Sequence, residues 1–150
     1  MNFDNDIETC LSILHSGGVI LYPTDTIWGL GCDATNEQAV EKIIQLKKRA
    51  AHKSFVVLLS DENVLANDGS VAIRICKDEF CKTLIKRFRK PIVSTSANIS
   101  NEPSPKNFST IPLSIKKAVD YVVIHRQNEQ TETQPSSIIK WINGEVEVIR

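Results

Sequence analysis

Short apolar runs alternate with stretches of helical spacing along this chain, and that alternation limits its fold more than any other feature. Val19 to Tyr22, Phe55 to Leu59, Val71 to Ile75, Pro91 to Thr95 and Tyr121 to Ile124 are too short for helices. Flanked by polar and turn-forming residues, they read as buried strands, and Ile27 to Cys32 reads as another strand or an extended loop. Between them, Asp4 to His15 places Ile7, Cys10, Leu11 and Leu14 at helical intervals, and Gly17-Gly18 closes that helix. Thr35-Asn36-Glu37-Gln38 reads as a capping box, with Thr35 at the N-cap and Gln38 at N3. The helix behind it carries Val40, Ile43 and Ile44 on one face and ends near Lys48. Asp78 caps a third helix that buries Cys81, Leu84, Ile85 and Phe88, and Ile111 to Ala118 is a weaker fourth. Ser137 to Trp141 and Glu145 to Ile149 flank Asn143-Gly144, the pattern of a hairpin with a type I′ turn. The expected class is α/β, one domain over residues 1–150, and the closing hairpin predicts a mixed rather than purely parallel sheet.

Size and composition fit that reading. At 150 residues and 41% apolar, the chain is of one-domain length with enough core-forming residues to fold. No run of about 18 apolar residues predicts a membrane span. Met1 to Asp6 is acidic and lacks the basic start of a secretory signal. Cys10, Cys32, Cys76 and Cys81 form no CxxC pair, so the expectation is reduced cytoplasmic thiols and no protein-held metal. Eighteen basic residues balance eighteen acidic ones, which argues against bulk nucleic-acid binding and leaves local patches open.

Such patches exist. Lys42 to Ser60 holds five basic residues and no acidic one, and Lys82 to Arg126 holds nine against Glu102 and Asp120. For a single lysine a solvated helix face is the simpler reading. Lys47, Arg49 and Lys53 differ, because they follow a helix end and precede a buried strand, where side chains line clefts in α/β folds. Ser94-Thr95-Ser96-Ala97-Asn98 sets three hydroxyls and an amide at a strand end, able to hold phosphate oxygens or merely to form a polar turn. Pro23-Thr24-Asp25-Thr26 is a second polar strand end. Arg74 interrupts an apolar strand and must be paired there or face a ligand. His52 has no catalytic partner and reads as surface. There is no GxxxxGK[ST], GxGxxG, GxSxG or HExxH, which disfavours P-loop, dinucleotide, esterase and zincin chemistry.

Four blocks together resemble one family. Gly17 to Leu30 is similar to its GG-x-x-x-x-PT[DE]T-x-[YW]-GL opening, and Lys47-Lys48-Arg49 with Lys53 to its K-x-R-x-x-x-[KN] block. Val71 to Arg74 is similar to its V-x-[VI]-R strand, and Ser94 to Ser100 to its SAN-x-SG block. This is the YrdC-like family, the threonylcarbamoyl-AMP synthases. The resemblance implies an open, twisted mixed sheet with flanking helices, YrdC/RibB-like, around a basic cleft. It implies that L-threonine, bicarbonate and ATP, with Mg²⁺ carried on the nucleotide, give threonylcarbamoyl-AMP and pyrophosphate. A second, threonylcarbamoyl-transferring enzyme then modifies adenosine 37 of tRNA to t6A, and tRNA or double-stranded RNA becomes an expected partner.

By the same resemblance, Lys47 and Arg49 serve catalysis. Arg49, Lys53, Ser70, Ser96, Asn98, Ser104 and Ser136 hold ATP, and Thr26, Arg74 and Ser94 hold threonine. The chain also departs from the family pattern. Only fifteen residues separate Leu58 from Arg74, so a family segment with a PGP-x-T motif is missing. Asn101 stands at the Gly of SAN-x-SG, Cys76 at a Pro, and Leu58 where some members have a threonine-contacting His. Those departures keep two alternatives in view: a non-catalytic nucleotide- or RNA-binding protein, and an adenylate-forming enzyme with another acyl substrate.

Overall fold

The computed structural model describes residues 2–49, 55–58, 73–74, 76–137, 139–142 and 144–148. In chain order these form α1 (Asp4–His15), β1 (Ile20–Tyr22), β2 (Gly29–Asp33), α2 (Glu37–Lys47), β3 (Val56–Leu58) and β4 (Ile73–Arg74). There follow α3 (Glu79–Phe88), β5 (Ile92–Ser96), a 3-10 turn (Phe108–Thr110), α4 (Leu113–Ala118), β6 (Tyr121–Val122), β7 (Ile139–Ile142) and β8 (Glu145–Val148). Six strands make one sheet in the order β4-β3-β5-β2-β1-β6. Its centre is antiparallel (β3–β5, β5–β2, β2–β1), and its two edge pairs, β4–β3 and β1–β6, are parallel.

The sheet is mixed as expected, though for a different reason. The β7–β8 hairpin forms a separate two-stranded sheet and contributes no strand to the main one. The antiparallel centre arises because Pro23 to Trp28 is too short to cross over, so β2 must fold back on β1. Asn143, in the expected hairpin turn, lies outside the described residues.

Helix α1 ends as Gly17-Gly18 foretells. Gly17 has φ +78°, and Gly17 and Gly18 donate backbone N–H bonds to Leu14 and Ile13 at 3.1 and 2.8 Å, a Schellman closure. The α2 capping box is corrected. The N-cap is Asn36, whose side chain accepts from Ala39 N at 3.1 Å. Thr35 is instead captured by Asp33, through its hydroxyl at 2.6 Å and its N–H at 2.8 Å. An Asx turn at the end of β2 thus moves the helix start one residue on, to a residue type that caps at least as well.

Ile7, Cys10 and Leu14 of α1 and Phe80, Cys81, Leu84, Ile85 and Phe88 of α3 are buried, and the two helices pack together. With Ile20, Leu21, Tyr22, Leu30 and Ile92 from the sheet they make one core. Each fully buried large side chain contributes roughly 1.5–3 kcal/mol. Asp6, also buried, ties α1 to the far edge of the sheet. Its carboxylate accepts from the Tyr121 hydroxyl at 2.6 Å, Ile124 N at 3.0 Å and His125 N at 2.9 Å. Gly31 lets β2 pass beneath a large ring, since a Cβ there would stand 2.8 Å from Tyr22 Cε1 and 3.1 Å from the Val93 carbonyl oxygen.

Candidate active site

A cavity of about 240 Å³ opens where the end of β5 meets the start of β2. Its walls come from well-separated parts of the chain: the Thr24–Gly29 connection, Arg49 with Phe55 and Val56, Arg74, Ser94–Ser96, and Pro135-Ser136. Six residues assigned by resemblance, namely Thr26, Arg49, Arg74, Ser94, Ser96 and Ser136, meet there.

Arg49 reaches the cavity because of how α2 ends. Lys48 adopts the left-handed conformation (φ +52°) and donates to the Gln45 carbonyl at 3.1 Å, and Arg49 N donates to the Ile44 carbonyl at 2.9 Å. This is a Schellman turn built without glycine. It swings Arg49 off the helix axis, and its guanidinium rests 4.6 Å over the Phe55 ring. Partial burial holds its pKa below the usual arginine value, yet an arginine stays cationic at any physiological pH.

Arg74 settles the question posed by a charge in an apolar strand: it is both paired and cavity-facing. Its Nη2 donates to Asp25 Oδ1 and, at 2.6 Å, to Thr26 Oγ1. Asp25 is steadied in turn by accepting Lys77 N at 3.1 Å through Oδ2. The Pro23–Thr26 turn is held from every side. Thr24 Oγ1 donates to the Ile27 carbonyl at 2.7 Å and accepts Thr26 N at 3.1 Å. The Cys81 thiol donates to the Pro23 carbonyl at 3.3 Å. Arg126 Nη1 donates to the Thr24 carbonyl and to Asp78 Oδ1, both at 3.0 Å, while its Nε donates to Glu129 at 2.8 Å. Arg126 was missed by sequence reasoning, and it carries no motif by which to find it. Its backbone is left-handed (φ +69°).

Lys47 and Asn98 lie outside the cavity lining. Lys47 is 2% exposed, and its ammonium donates to the carbonyl oxygens of Ser96 (2.5 Å) and Asn98 (2.9 Å). Burial, with Arg49 nearby, lowers its pKa to about 8. The Lys47 carbonyl also accepts Ser100 N at 2.8 Å. Asn98 uses its side-chain amide to donate to the Ile99 and Glu102 carbonyls at 2.9 and 2.8 Å. Both residues therefore brace the loop after β5. Asn101 at φ +71° shows why a glycine is replaceable here, since Asn tolerates the left-handed region better than other side chains. Ser104 is half-buried and is not among the cavity-lining residues. Lys53, Ser70 and His52 lie outside the described residues.

A model of the Sua5/YciO/YrdC family, described as "Telomere recombination", matches residues 12–66 and 60–150. The threonylcarbamoyl-AMP synthase of Saccharophagus degradans is 35% identical over 130 aligned positions, covering 61% of this chain and 68% of that protein. That of Pseudoalteromonas translucida is 26% identical over 186 positions, covering 97% and 98%. Since 97% of 150 residues is about 146, roughly forty positions of that relative have no counterpart here, in keeping with the short Leu58–Arg74 connection. Among solved structures, P. abyssi Sua5 complexed with L-threonine superposes with a TM-score of 0.80 at 20% identity. It covers 96% of this chain, which spans about half (53%) of that protein, and the likeness fixes the fold.

Proposed function

Because the chain belongs to the Sua5/YciO/YrdC family, we propose that it is an L-threonylcarbamoyladenylate synthase, a nucleotidyltransferase acting on ATP. The relatives that match most of its length carry that activity in their names, and a threonine-bound neighbour shares its fold. The carrying observation is that one cavity gathers two arginines and a set of hydroxyls from widely separated segments. Such a lining suits two anionic substrates.

The reaction needs no nucleophilic side chain. Bicarbonate condenses with the threonine amine, water leaves, and a carbamate forms. A carbamate oxygen attacks the α-phosphorus of ATP, the bond to the bridging α–β oxygen breaks, and pyrophosphate departs with the electron pair. The protein's work is positioning and charge stabilisation. Arg74 and Ser94 take the threonine carboxylate, with Thr26 beside them. Arg49 faces the phosphate charge, and Ser96 and Ser136 donate to phosphate oxygens. Lys47 and Asn98 act one step back, by fixing the rim that Ser96 belongs to. Magnesium would come as part of the ATP substrate and would offset the phosphate charge there. The arginines and hydroxyls of the cavity lining suit the phosphate oxygens of the nucleotide. The product feeds a second enzyme that transfers the threonylcarbamoyl group to adenosine 37 of tRNA in the cytoplasm. Among the described residues no helix is long and apolar enough to cross a membrane.

One observation favours a second reading, a nucleotide- or RNA-binding protein without the reaction. Arg74 is already engaged by Asp25, so an incoming carboxylate must share or displace that partner. Pyrophosphate release from ATP, with and without L-threonine and bicarbonate, separates the two. Synthase activity requires both co-substrates and yields threonylcarbamoyl-AMP, identified by mass. ATP that protects the fold thermally but releases no pyrophosphate supports the binding protein.

A further inference from the structure

Two arginines line the cavity, and the fold secures them by different devices. Arg74 is held by a carboxylate, since its Nη2 donates to Asp25 Oδ1 as well as to Thr26 Oγ1. Arg49 instead rests its guanidinium carbon 4.6 Å from the centroid of the Phe55 ring. Both members of this second pair line the cavity. Phe55 is half-buried and packs against the core. It stands one residue before β3, whose first residue, Val56, lies opposite Ser94 of β5. The sheet therefore fixes the ring, while Arg49 arrives from the end of α2 through the left-handed Lys48.

These devices leave an arginine in different states. A carboxylate partner uses N–H donors and offsets the positive charge. An aromatic face attracts the cation through the ring quadrupole, spends no N–H in that contact and has no net charge to set against it. Stacking also sets the plane of the guanidinium fork, and phosphate is recognised through that plane. An arginine that meets a polyphosphate needs its charge and a fixed donor plane together. The ring supplies the second without lowering the first.

Resting on the reading of this cavity as an ATP site, we propose that Phe55 is a positioning residue whose ring holds the Arg49 guanidinium toward the phosphates of the nucleotide. Phe55 acts through Arg49 and not on the nucleotide itself. Weakening the negative face of the ring while keeping its shape loosens the grip on the phosphates and leaves the contacts of the nucleoside as they were. An aliphatic side chain of similar bulk fills the same space and exerts no such pull.

The test is calorimetric binding of ATP and of adenosine to the full chain, with Phe55 replaced in turn by mono-, di- and trifluorophenylalanine and by leucine, and with thermal unfolding as the check on folding. Fluorine withdraws charge from the ring face and barely changes its size. The Kd for ATP should rise about twofold with each fluorine and about tenfold in Phe55→Leu, while the Kd for adenosine stays constant. In an Arg49→Ala background the same series should leave ATP binding unchanged. An ATP affinity indifferent to fluorination makes Phe55 a packing residue and overturns the inference. A series that weakens adenosine as much as ATP shows the ring stacking on the base and overturns it as well. A wild type that binds no ATP removes the phosphates from Arg49, and this inference with them. Ring-dependent ATP binding without pyrophosphate release bears the inference out and sinks the synthase reading alone.

Discussion

The ammonium of Lys47, at the last turn of α2, lies 2.5 Å from the carbonyl oxygen of Ser96, at the end of β5. A side chain that sequence resemblance places in the chemistry is thus a strut beneath the cavity rim. Burial makes that strut sensitive to pH. Its folded-state pKa is about 8, against an ordinary 10.5. Between those values the unfolded chain holds a proton that the folded chain has released, so this group's contribution to stability rises with pH and is flat on either side. Urea unfolding should show wild type gaining on Lys47→Met by about 3 kcal/mol from about pH 7 to about pH 10.5. A pH-independent difference would falsify the buried-strut account.

Arg49 carries the opposite expectation. It packs over Phe55 at 4.6 Å but is only partly buried. Arg49→Ala should lower pyrophosphate release by about a hundredfold or more while costing stability no more than about 1 kcal/mol. Turnover and unfolding measured on the same preparation separate the two effects. Loss of the fold itself would make the residue structural and the site misplaced.

Arg74→Lys keeps the charge and loses the planar fork that reaches Asp25 and Thr26 together. The Michaelis constant for threonine should rise at least tenfold, about the worth of one charge-assisted hydrogen bond, while that for ATP stays within about twofold. Equal losses for both substrates would show that Arg74 does not read the amino acid.

Arg126→Gln tests the clamp on the Pro23–Thr26 turn. It removes donors to the Thr24 carbonyl and to Asp78. The variant should unfold about 1–3 kcal/mol more easily and show weaker threonine use at unchanged ATP use. A stable variant with wild-type kinetics would mean that the turn holds its shape without the guanidinium.

Much was legible in the residues. The period of α1, its Gly17 closure and the Asp78 cap of α3 are local events, decided by neighbours a few positions apart. The misplaced N-cap of α2 was local too, but two good capping residues stood side by side. Only Asp33, at the end of a strand whose limit the sequence leaves vague, chose between them. The hairpin was readable as a hairpin. Whether it joins the main sheet depended on edges built by distant strands.

The site divides along the same line. Sequence alone determined which polar groups cluster at strand ends and that Arg74 could not stand unpartnered in an apolar strand. It determined the family as well, through blocks whose order and spacing are written in the chain. Tertiary structure decided the partners. Arg74 meets Asp25 across 49 positions, Lys47 meets Ser96 across 49, Tyr22 meets Ser94 across 72 and Arg126 meets Thr24 across 102. These pairings depend on which strands become neighbours. That choice belongs to the burial of a shared core, a non-directional force summed over the whole chain, and no short stretch of residues records its outcome.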